Sequence, residues 1–431
     1  MGLASPVRAY SDVVDQFVND ASFLWVLRSV AHDQPHYAVA DLHELETRIQ
    51  KQLDGLFVEP ELAWELIQDA LEFEEAGEVF TATVFAFRSR EVEKIKAAVN
   101  AGMKSDETRR GLISAMAWLP QKLVHAWLTK FYQSKDLSHK TLALSVSISR
   151  RENPEEYIGK ILNREDCLAI PNLYAEALKS VGVFKRADLK QYLLVAADHE
   201  VTQVQFWAIW ALALLGDRQF CEKLKPFVVD ESDLQQQAIQ LAFRCLPISV
   251  AREWIKELIA TPENIRLAVK AVAALGDPEA INWLIGLMRN TTHSRLASEA
   301  FSMITGIDIE ANELAFDLPD LEDALPGEEA EGTDQDDVAM DEDENLPWPN
   351  ADKIQAIWQK YGNRFHSGKR YLMGKEIGAQ NHGFFDENTQ IESALKKEDS
   401  FLQRQRHAAA IELALAHPSL PYLNTNAKVI G

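Results

Sequence analysis

The chain has 431 residues, of which 47% are hydrophobic and 26% are charged, as in ordinary globular proteins. Its 44 Lys and Arg are outnumbered by 66 Asp and Glu, giving a formal net charge of −22. This excess disfavours nucleic-acid binding, because phosphate contacts need clustered basic side chains. Glycine (19) and proline (16) are sparse, which favours helices over a many-turned β fold. Cys167, Cys221 and Cys245 form no C-x-x-C pair, so we expect reduced thiols.

The N-terminal sequence lacks a basic stretch followed by an apolar one, so it does not resemble a signal peptide. No apolar run approaches the length of a membrane span. We therefore expect a cytoplasmic protein that does not contact a membrane.

Residues 1–110 predict a helical N-terminal unit. In DLHELETRIQKQLDGLFVEPELAWELIQDALEF the apolar residues recur at helical spacing, with Gly55 ending one helix and Pro60 beginning the next. His32 and His36 have a spacing that would suit a metal ion on one helix, but Pro35 between them predicts a loop. We therefore expect no metal site here and no cofactor elsewhere in the chain.

Residues 111–315 predict an array of helix pairs, because one corner recurs at a fixed period. Gly216, Leu246, Gly276 and Gly306 stand at intervals of 30 residues, each after a stretch rich in small and apolar residues. An earlier copy is the stretch LISAMAWLPQKLVHAWLTKFY, which begins at residue 112. Such a period with paired helices is typical of an α-solenoid, in which each unit buries its apolar face only against its neighbours. The predicted class is therefore all-α.

One corner, LGDPEA at residues 275–280, could be either a chemical site or a turn. Asp277 and Glu279 could act as an acid–base pair. However, Gly-Asp-Pro is also the pattern that ends one helix and caps the next. We interpret Asp277 as a helix cap, and we predict no catalytic residue in the chain.

Residues 316–347 predict an acidic, disordered linker. The stretch from Asp317 to Asn345 contains fourteen Asp or Glu and no Lys or Arg. Such a composition cannot bury enough apolar surface to order itself. An alternative is that this stretch docks on the basic cluster between Arg364 and Lys375.

Residues 348–431 predict a small C-terminal helical segment. Asn350 precedes apolar residues at helical spacing, so we expect it to cap a helix. The last helix is expected at Leu402–Ala416, because Pro418 follows it. Trp348 stands between two prolines with no helix around it, so we expect it to fix the end of the linker or to contact a partner.

Four longer stretches carry a family resemblance. They are HELETRIQKQLDGLFVEPELAWEL near the start, VQFWAIWALALLGDRQ in the middle, and LPWPNADKIQAIWQKYGNRFHSGKRYLMGKEI and RQRHAAAIELAL near the end. Together they resemble an uncharacterised bacterial family of HEAT-repeat proteins. The resemblance implies HEAT-like helix pairs, and it implies a protein encoded near type VI secretion components. It carries over no catalytic residue.

A non-enzymatic scaffold for protein–protein contacts is the function that this architecture favours. The resemblance narrows it to a cytoplasmic accessory of type VI secretion, an adaptor or chaperone for an effector or spike protein. The first alternative is an immunity protein that binds a cognate toxin. A bilin lyase or a HEAT-like DNA glycosylase is the enzymatic alternative. An acidic array would suit a basic protein partner, and we expect no nucleic acid as a partner.

The candidate partner-binding residues are tryptophans and a basic cluster. Tryptophan is a favoured anchor in protein interfaces, although aromatic residues on repeat helices also form the core between helices. The basic side chains follow the predicted linker. The candidates are Trp127, Trp254, Trp283, Trp348, Arg364, Lys369 and Arg370.

Overall fold

The computed structural model describes residues 6–316, 342–378 and 401–429, with side chains from residue 11 onward. These residues are mostly helical, which confirms the predicted all-α class. The predicted linker lies largely outside the described residues. The chain forms two compact units, the first made of Met1–Asp33, Tyr37–Ala211 and Ser419–Gly431, and the second of Gln34–His36 and Leu212–Pro418. The boundaries predicted near residues 110 and 315 follow changes in sequence character and stay predictions.

The first unit is helical throughout its described length. Its helices are α1 (Pro6–Ala31), α2 (Val39–Gly55), α3 (Pro60–Ala70), α4 (Ala76–Ser89), α5 (Val92–Gly102), α6 (Asp106–Trp118), α7 (Gln121–Gln133), α8 (Leu137–Arg150), α9 (Glu156–Leu162), α10 (Glu165–Leu168), α11 (Pro171–Val183) and α12 (Lys190–Ala196). Short 3-10 helices lie at Leu71–Phe73 and Ala187–Leu189. The next helix, α13 (Thr202–Leu214), begins in the first unit and ends in the second.

Five helices of the first unit pack one on the next. Helix α1 packs on α4, α4 on α6, α6 on α8, and α8 on α11, while α3, α5 and α7 each pack beside the helix that follows them. Helix α4 is buried on every side from Ala76 to Phe87, as expected of a helix that is apolar all round. A Cβ atom at Gly111 on α6 would lie 2.0 Å from the carbonyl oxygen of Ala76. Helices α4 and α6 therefore cross at a distance that only glycine allows.

The second unit combines helices with one β-hairpin. Its helices are α14 (Lys225–Val229), α15 (Gln235–Cys245), α16 (Ile248–Ile259), α17 (Ile265–Leu275), α18 (Ile281–Leu287), α19 (Ser294–Thr305), Ala351–Tyr361 and Gln403–Ala416. Short 3-10 helices lie at Arg218–Leu224, Pro262–Asn264, Pro278–Ala280 and Gly362–Arg364. Strands β1 (Arg370–Leu372) and β2 (Lys375–Ile377) form the hairpin. Helix α15 packs on α17, and α17 on α19, with α16 and α18 packed beside the helices that follow them.

The corners predicted at intervals of 30 residues are all helix ends. Helices α13, α15, α17 and α19 end one or two residues before the four positions. Gly216, Gly276 and Gly306 have positive φ angles of 97°, 73° and 71°, the left-handed geometry that ends helices at glycine. Leu246 is instead extended, with φ −64° and ψ 148°, because Pro247 follows it and disfavours helical backbone. Leu119 has nearly the same angles, φ −76° and ψ 149°, as the predicted earlier copy requires.

Two predicted helical stretches differ from the structure. The stretch RQFCEKLKPFV, which lies within the predicted array of helix pairs, is a 3-10 helix followed by the short α14, because Pro226 cannot donate the hydrogen bond that a continuous α-helix needs. The C-terminal segment, predicted as helical, contains the β-hairpin. Met373 and Gly374 both have positive φ, 48° and 78°, which is the geometry of a two-residue hairpin turn. The helices predicted after Asn350 and around residues 402–416 are confirmed.

The hairpin binds the corners of the second unit through its main chain. The amide of Tyr371 donates to the carbonyl oxygen of Gly276 at 2.8 Å, and that of Gly374 donates to Ile304 at 2.9 Å. A Cβ atom at Gly276 would lie 2.2 Å from the carbonyl oxygen of Tyr371, and one at Gly306 would lie 2.6 Å from that of Met373. These corners therefore need glycine twice, for the positive φ and for the close approach of the hairpin.

We predict that Gly276→Ala and Gly286→Ala change stability in opposite directions. Alanine at Gly276 strains the backbone and overlaps Tyr371, so the free energy of unfolding should fall by about 2–4 kcal/mol. Gly286 is exposed on helix α18, with no atom within 4 Å of its added Cβ. Alanine there should leave stability unchanged or raise it by up to ~1 kcal/mol. Urea unfolding followed by circular dichroism measures both, and an equal effect of the two substitutions would contradict the proposed role of the corner.

Candidate functional site

The tryptophans predicted to bind a partner differ in exposure. Trp254 is only 7% exposed and packs edge-on against Phe243, with ring centroids 6.1 Å apart. Trp127 and Trp283 are half-buried, and the Lys130 ammonium lies 4.6 Å from the Trp127 ring centroid. Trp254 thus fills space between helices, while Trp127 and Trp283 keep part of their rings in solvent. Their role in binding a partner stays a prediction.

Trp348 and the residues beside it attach the described end of the acidic stretch to the second unit. The Arg295 guanidinium lies 4.5 Å from the Trp348 ring centroid. The carbonyl oxygen of Trp348 accepts a hydrogen bond from the amide of Phe316 at 2.9 Å, and the amide of Asn350 donates to the carbonyl oxygen of Leu314 at 2.7 Å. Trp348 therefore fixes the end of this stretch, as one of the two predicted roles requires.

The basic side chains after residue 363 differ in their exposure and in their contacts. Arg370 donates hydrogen bonds to the carbonyl oxygens of Leu275 at 3.0 Å and Arg244 at 2.9 Å, and it pairs with the buried Glu412. Its donors therefore bind the carbonyl groups at the C-terminal ends of α17 and α15, and a role in binding a partner stays a prediction. Lys369 is exposed and pairs with Glu376 at 2.9 Å. Arg364 is exposed, with its guanidinium 5.1 Å from the Tyr361 ring centroid.

Two described carboxylates of the acidic stretch, those of Glu342 and Asp343, contact α17 rather than that basic cluster. Arg266 pairs with Asp343 at 2.6 Å and with Glu342 at 2.7 Å, and Lys270 lies 3.2 Å from Glu342. The hydrogen bond from Arg266 lowers the pKa of Glu342 to about 2, and the charge of Lys270 acts in the same direction. The rest of the stretch, residues 317–341, lies outside the described residues.

The corner carboxylate has the structural role predicted for it. Asp277 is 2% exposed and accepts a hydrogen bond from the amide of Glu279 at 3.1 Å. Arg252 also donates to it at 2.7 Å, and the amide of Gly368 donates to it at 3.2 Å. The interpretation of Asp277 as a cap is confirmed.

A cleft of about 1020 Å³ lies in the first unit, and we call it the basic cleft. Helices α1, α4, α6 and α8 supply most of its wall, and residues 424–428 supply one side. Its lining contains one carboxylate, that of Asp33, and seven basic side chains, namely Arg28, Arg88, Arg110, Arg150, Arg151, Lys179 and Lys428. A chain with a net charge of −22 thus has a locally positive cleft.

Two of these arginines are fixed by buried contacts. Arg28 on α1 pairs with Glu46 at 2.6 Å, and both side chains are almost fully buried. Arg150 ends α8 and donates to the carbonyl oxygens of Met116 at 2.9 Å and Leu119 at 2.6 Å. It therefore closes the C-terminal end of α6, where carbonyl groups lack partners within the helix.

Part of the chain's own C-terminal segment, residues 419–429 (the tail), lies along this cleft. The carbonyl oxygen of Tyr422 accepts from Arg151 at 3.1 Å, and that of Asn426 accepts from Arg28 at 3.3 Å. The amide of Val429 donates to Glu46 at 2.7 Å. Side chains of the cleft therefore bind the main chain of an irregular, non-helical peptide segment.

Two basic groups of the cleft have no carboxylate partner within the described part of the chain. Arg151 contacts the carbonyl oxygens of Ile148 and Tyr422. The Lys428 ammonium donates to the side-chain oxygen of Gln50 at 3.1 Å and lies 4.1 Å from the Trp118 ring centroid. Burial lowers the pKa of both basic groups, since desolvation disfavours the charged form, while the charge of Glu46 raises the pKa of Lys428 in part.

Other groups that could carry chemistry have structural surroundings. Across residues 6–316, 342–378 and 401–429, no three His, Cys, Asp or Glu side chains are grouped to hold a metal ion. The described cysteines are buried free thiols. The thiols of Cys221 and Cys245 are hydrogen-bonded to each other, which raises the pKa of Cys221. This proximity was not visible from their spacing in the sequence.

Sequence reasoning missed the basic cleft because its arginines come from four helices that are far apart in the chain. The adjacent pair Arg150 and Arg151 was the strongest local signal.

Comparison with protein-family models, with curated proteins and with solved structures finds no match to this chain. No helix among the described residues combines the length and apolar character needed to cross a membrane.

We predict that Glu342 contributes to stability in a pH-dependent way. Its pKa of about 2 lies below the ordinary 4.5, so the contribution is complete above pH ~4.5 and is lost as the pH falls toward 2. At pH 7, Glu342→Gln should lower the free energy of unfolding by about 0.2–1 kcal/mol, because the pair is partly exposed. Urea unfolding at several pH values tests this. Exposed Glu344 makes no ion pair among the described residues, so Glu344→Gln is the control, and equal pH profiles for the two variants would contradict the pairing.

Proposed function

We propose that this protein is a non-enzymatic scaffold that binds other proteins, built from stacked HEAT-like helix pairs in an α-solenoid. The support is the order of packing within each unit, where helices α1, α4, α6, α8 and α11 of the first unit, and α15, α17 and α19 of the second, pack in succession. The helix ends at intervals of 30 residues support the same repeat. Stacked pairs of this kind present long surfaces that suit protein partners.

The observation that carries the proposal is the tail bound in the basic cleft. Arginine side chains donate to its carbonyl oxygens, and Glu46 accepts from its amide. These contacts recognise main-chain atoms, which every polypeptide offers. A surface that already binds one peptide segment by its backbone is suited to bind another.

The narrower proposal is a cytoplasmic accessory of type VI secretion, which acts as an adaptor or chaperone for an effector or spike protein. Its support is the family resemblance of the four stretches quoted above. An immunity protein that binds a cognate toxin is the alternative within the same class. Toxicity after deletion of this gene alone, with a toxin gene beside it, would favour the immunity role over loading.

We predict that affinity purification from the native cell recovers effector or spike proteins. The tag belongs at the N-terminus, because the tail lies in the cleft. Mass spectrometry of the eluate, compared with cells that carry the untagged protein, identifies what is enriched. Specific enrichment of a secretion component supports the proposal. Recovery of the protein alone, as a monomer, from cells that actively secrete would contradict it.

A further inference from the structure

The charge of the basic cleft is not neutralised by the segment that lies in it. The tail, SLPYLNTNAKV, contains no Asp or Glu and adds one further positive charge, Lys428. Glu46 and Glu152 compensate Arg28 and Arg150. Asp54 pairs with Arg88. Within the described chain Arg151 and Lys428 form no ion pair, although Glu46 and Asp54 favour the charge of Lys428 from a longer distance. The cleft therefore matches an acidic segment better than the one it holds.

Two further basic side chains stand where a ligand could reach them. Arg110 has a side chain that is 60% exposed, although it also contacts Glu107. Lys179 is 27% exposed, lies 3.9 Å from Glu176, and has its ammonium 4.3 Å from the Trp207 ring centroid. Both line the cleft. They can therefore turn toward carboxylates of a bound segment without breaking a buried ion pair.

We infer that the basic cleft binds an extended, acidic polypeptide segment of a partner protein, which lies between the helices and the tail. This inference rests on the proposed scaffold role and names the chemistry of the partner. Arg151 and Lys428 supply half-buried positive charge, Arg110 and Lys179 contact carboxylates near the solvent, and polar side chains bind the main chain. This acidic partner segment differs from the basic partner expected from the overall net charge, because the local charge of the cleft decides what binds there.

Polypeptide fits this cleft better than nucleic acid does. The chain as a whole has a net charge of −22, which disfavours a long phosphate backbone that extends beyond the cleft. The groups that already bind the tail include a carboxylate acceptor, Glu46. A polypeptide offers amide N–H donors to such an acceptor, whereas a phosphate backbone offers none.

The test uses the full chain and a fluorescein-labelled twelve-residue peptide in which Glu and Asp alternate with Leu and Ser. Its Gln/Asn counterpart is the neutral probe. Fluorescence anisotropy should show at least tenfold tighter binding of the acidic peptide, weakening as salt is added. Arg110→Glu and Lys179→Glu should each reduce its affinity about tenfold. Lys96→Glu is the matched control, because Lys96 is exposed on α5, outside the cleft, and it should leave affinity unchanged.

Each outcome decides the inference. Equal binding of the two peptides, or an affinity that Arg110→Glu and Lys179→Glu leave unchanged while circular dichroism shows folded protein, would overturn it. Displacement of the peptide by single-stranded DNA of equal charge at lower concentration would also overturn it. If the native partner still co-purifies with the two cleft variants, the scaffold function stands and this inference fails. If the peptide binds as predicted but native cells yield no partner, the inference stands and the proposed function fails.

Discussion

The carbonyl groups at the C-terminal ends of helices must find partners when they are buried, and much of this structure depends on how they do so. In the second unit, Arg370 and the amides of the hairpin bind carbonyl oxygens at the ends of α15, α17 and α19. In the first unit, Arg150 does the same for α6, and the side chain of Asn424 donates to Ser149 at the end of α8. In both units, residues from the C-terminal part of the chain take part in these contacts.

This arrangement explains why some basic side chains bind helix ends within the protein, whereas those of the basic cleft are proposed to bind a partner. Arg370 lies in a basic cluster that resembles a binding surface, but its donors are used by helix ends and by Glu412. In the basic cleft the positive side chains outnumber the negative ones, and the tail that lies in the cleft adds no carboxylate side chain. A net negative charge over the whole chain therefore says little about the ligand of a particular site. The local excess of Arg and Lys in the first unit defines the proposed partner.

Local signals predicted helices and their ends well, while contacts between distant residues could not be predicted. Gly276, Asp277 and Asn350 act on their immediate neighbours, so their roles in ending or capping helices could be read from the sequence. The contact of Gly276 with Tyr371 joins residues that are far apart in the chain, and no periodicity indicates it. The basic cleft has the same origin, since side chains from several helices meet there only after packing. The hairpin was missed because its turn begins at Met373, whose positive φ is unusual for a non-glycine residue.

Hydrogen–deuterium exchange of the hairpin amides is the most direct test of the central claim. That claim is that extended segments from the C-terminal part of the chain hydrogen-bond the carbonyl groups at the helix ends. Mass spectrometry of peptides that cover residues 368–378 follows the amides of Tyr371, Met373 and Gly374, which donate to carbonyl oxygens of the corners. These amides should exchange as slowly as the core of α17, because they open only when the packed unit opens. Exchange at the rate of an unstructured peptide, while α17 stays protected, would contradict the account.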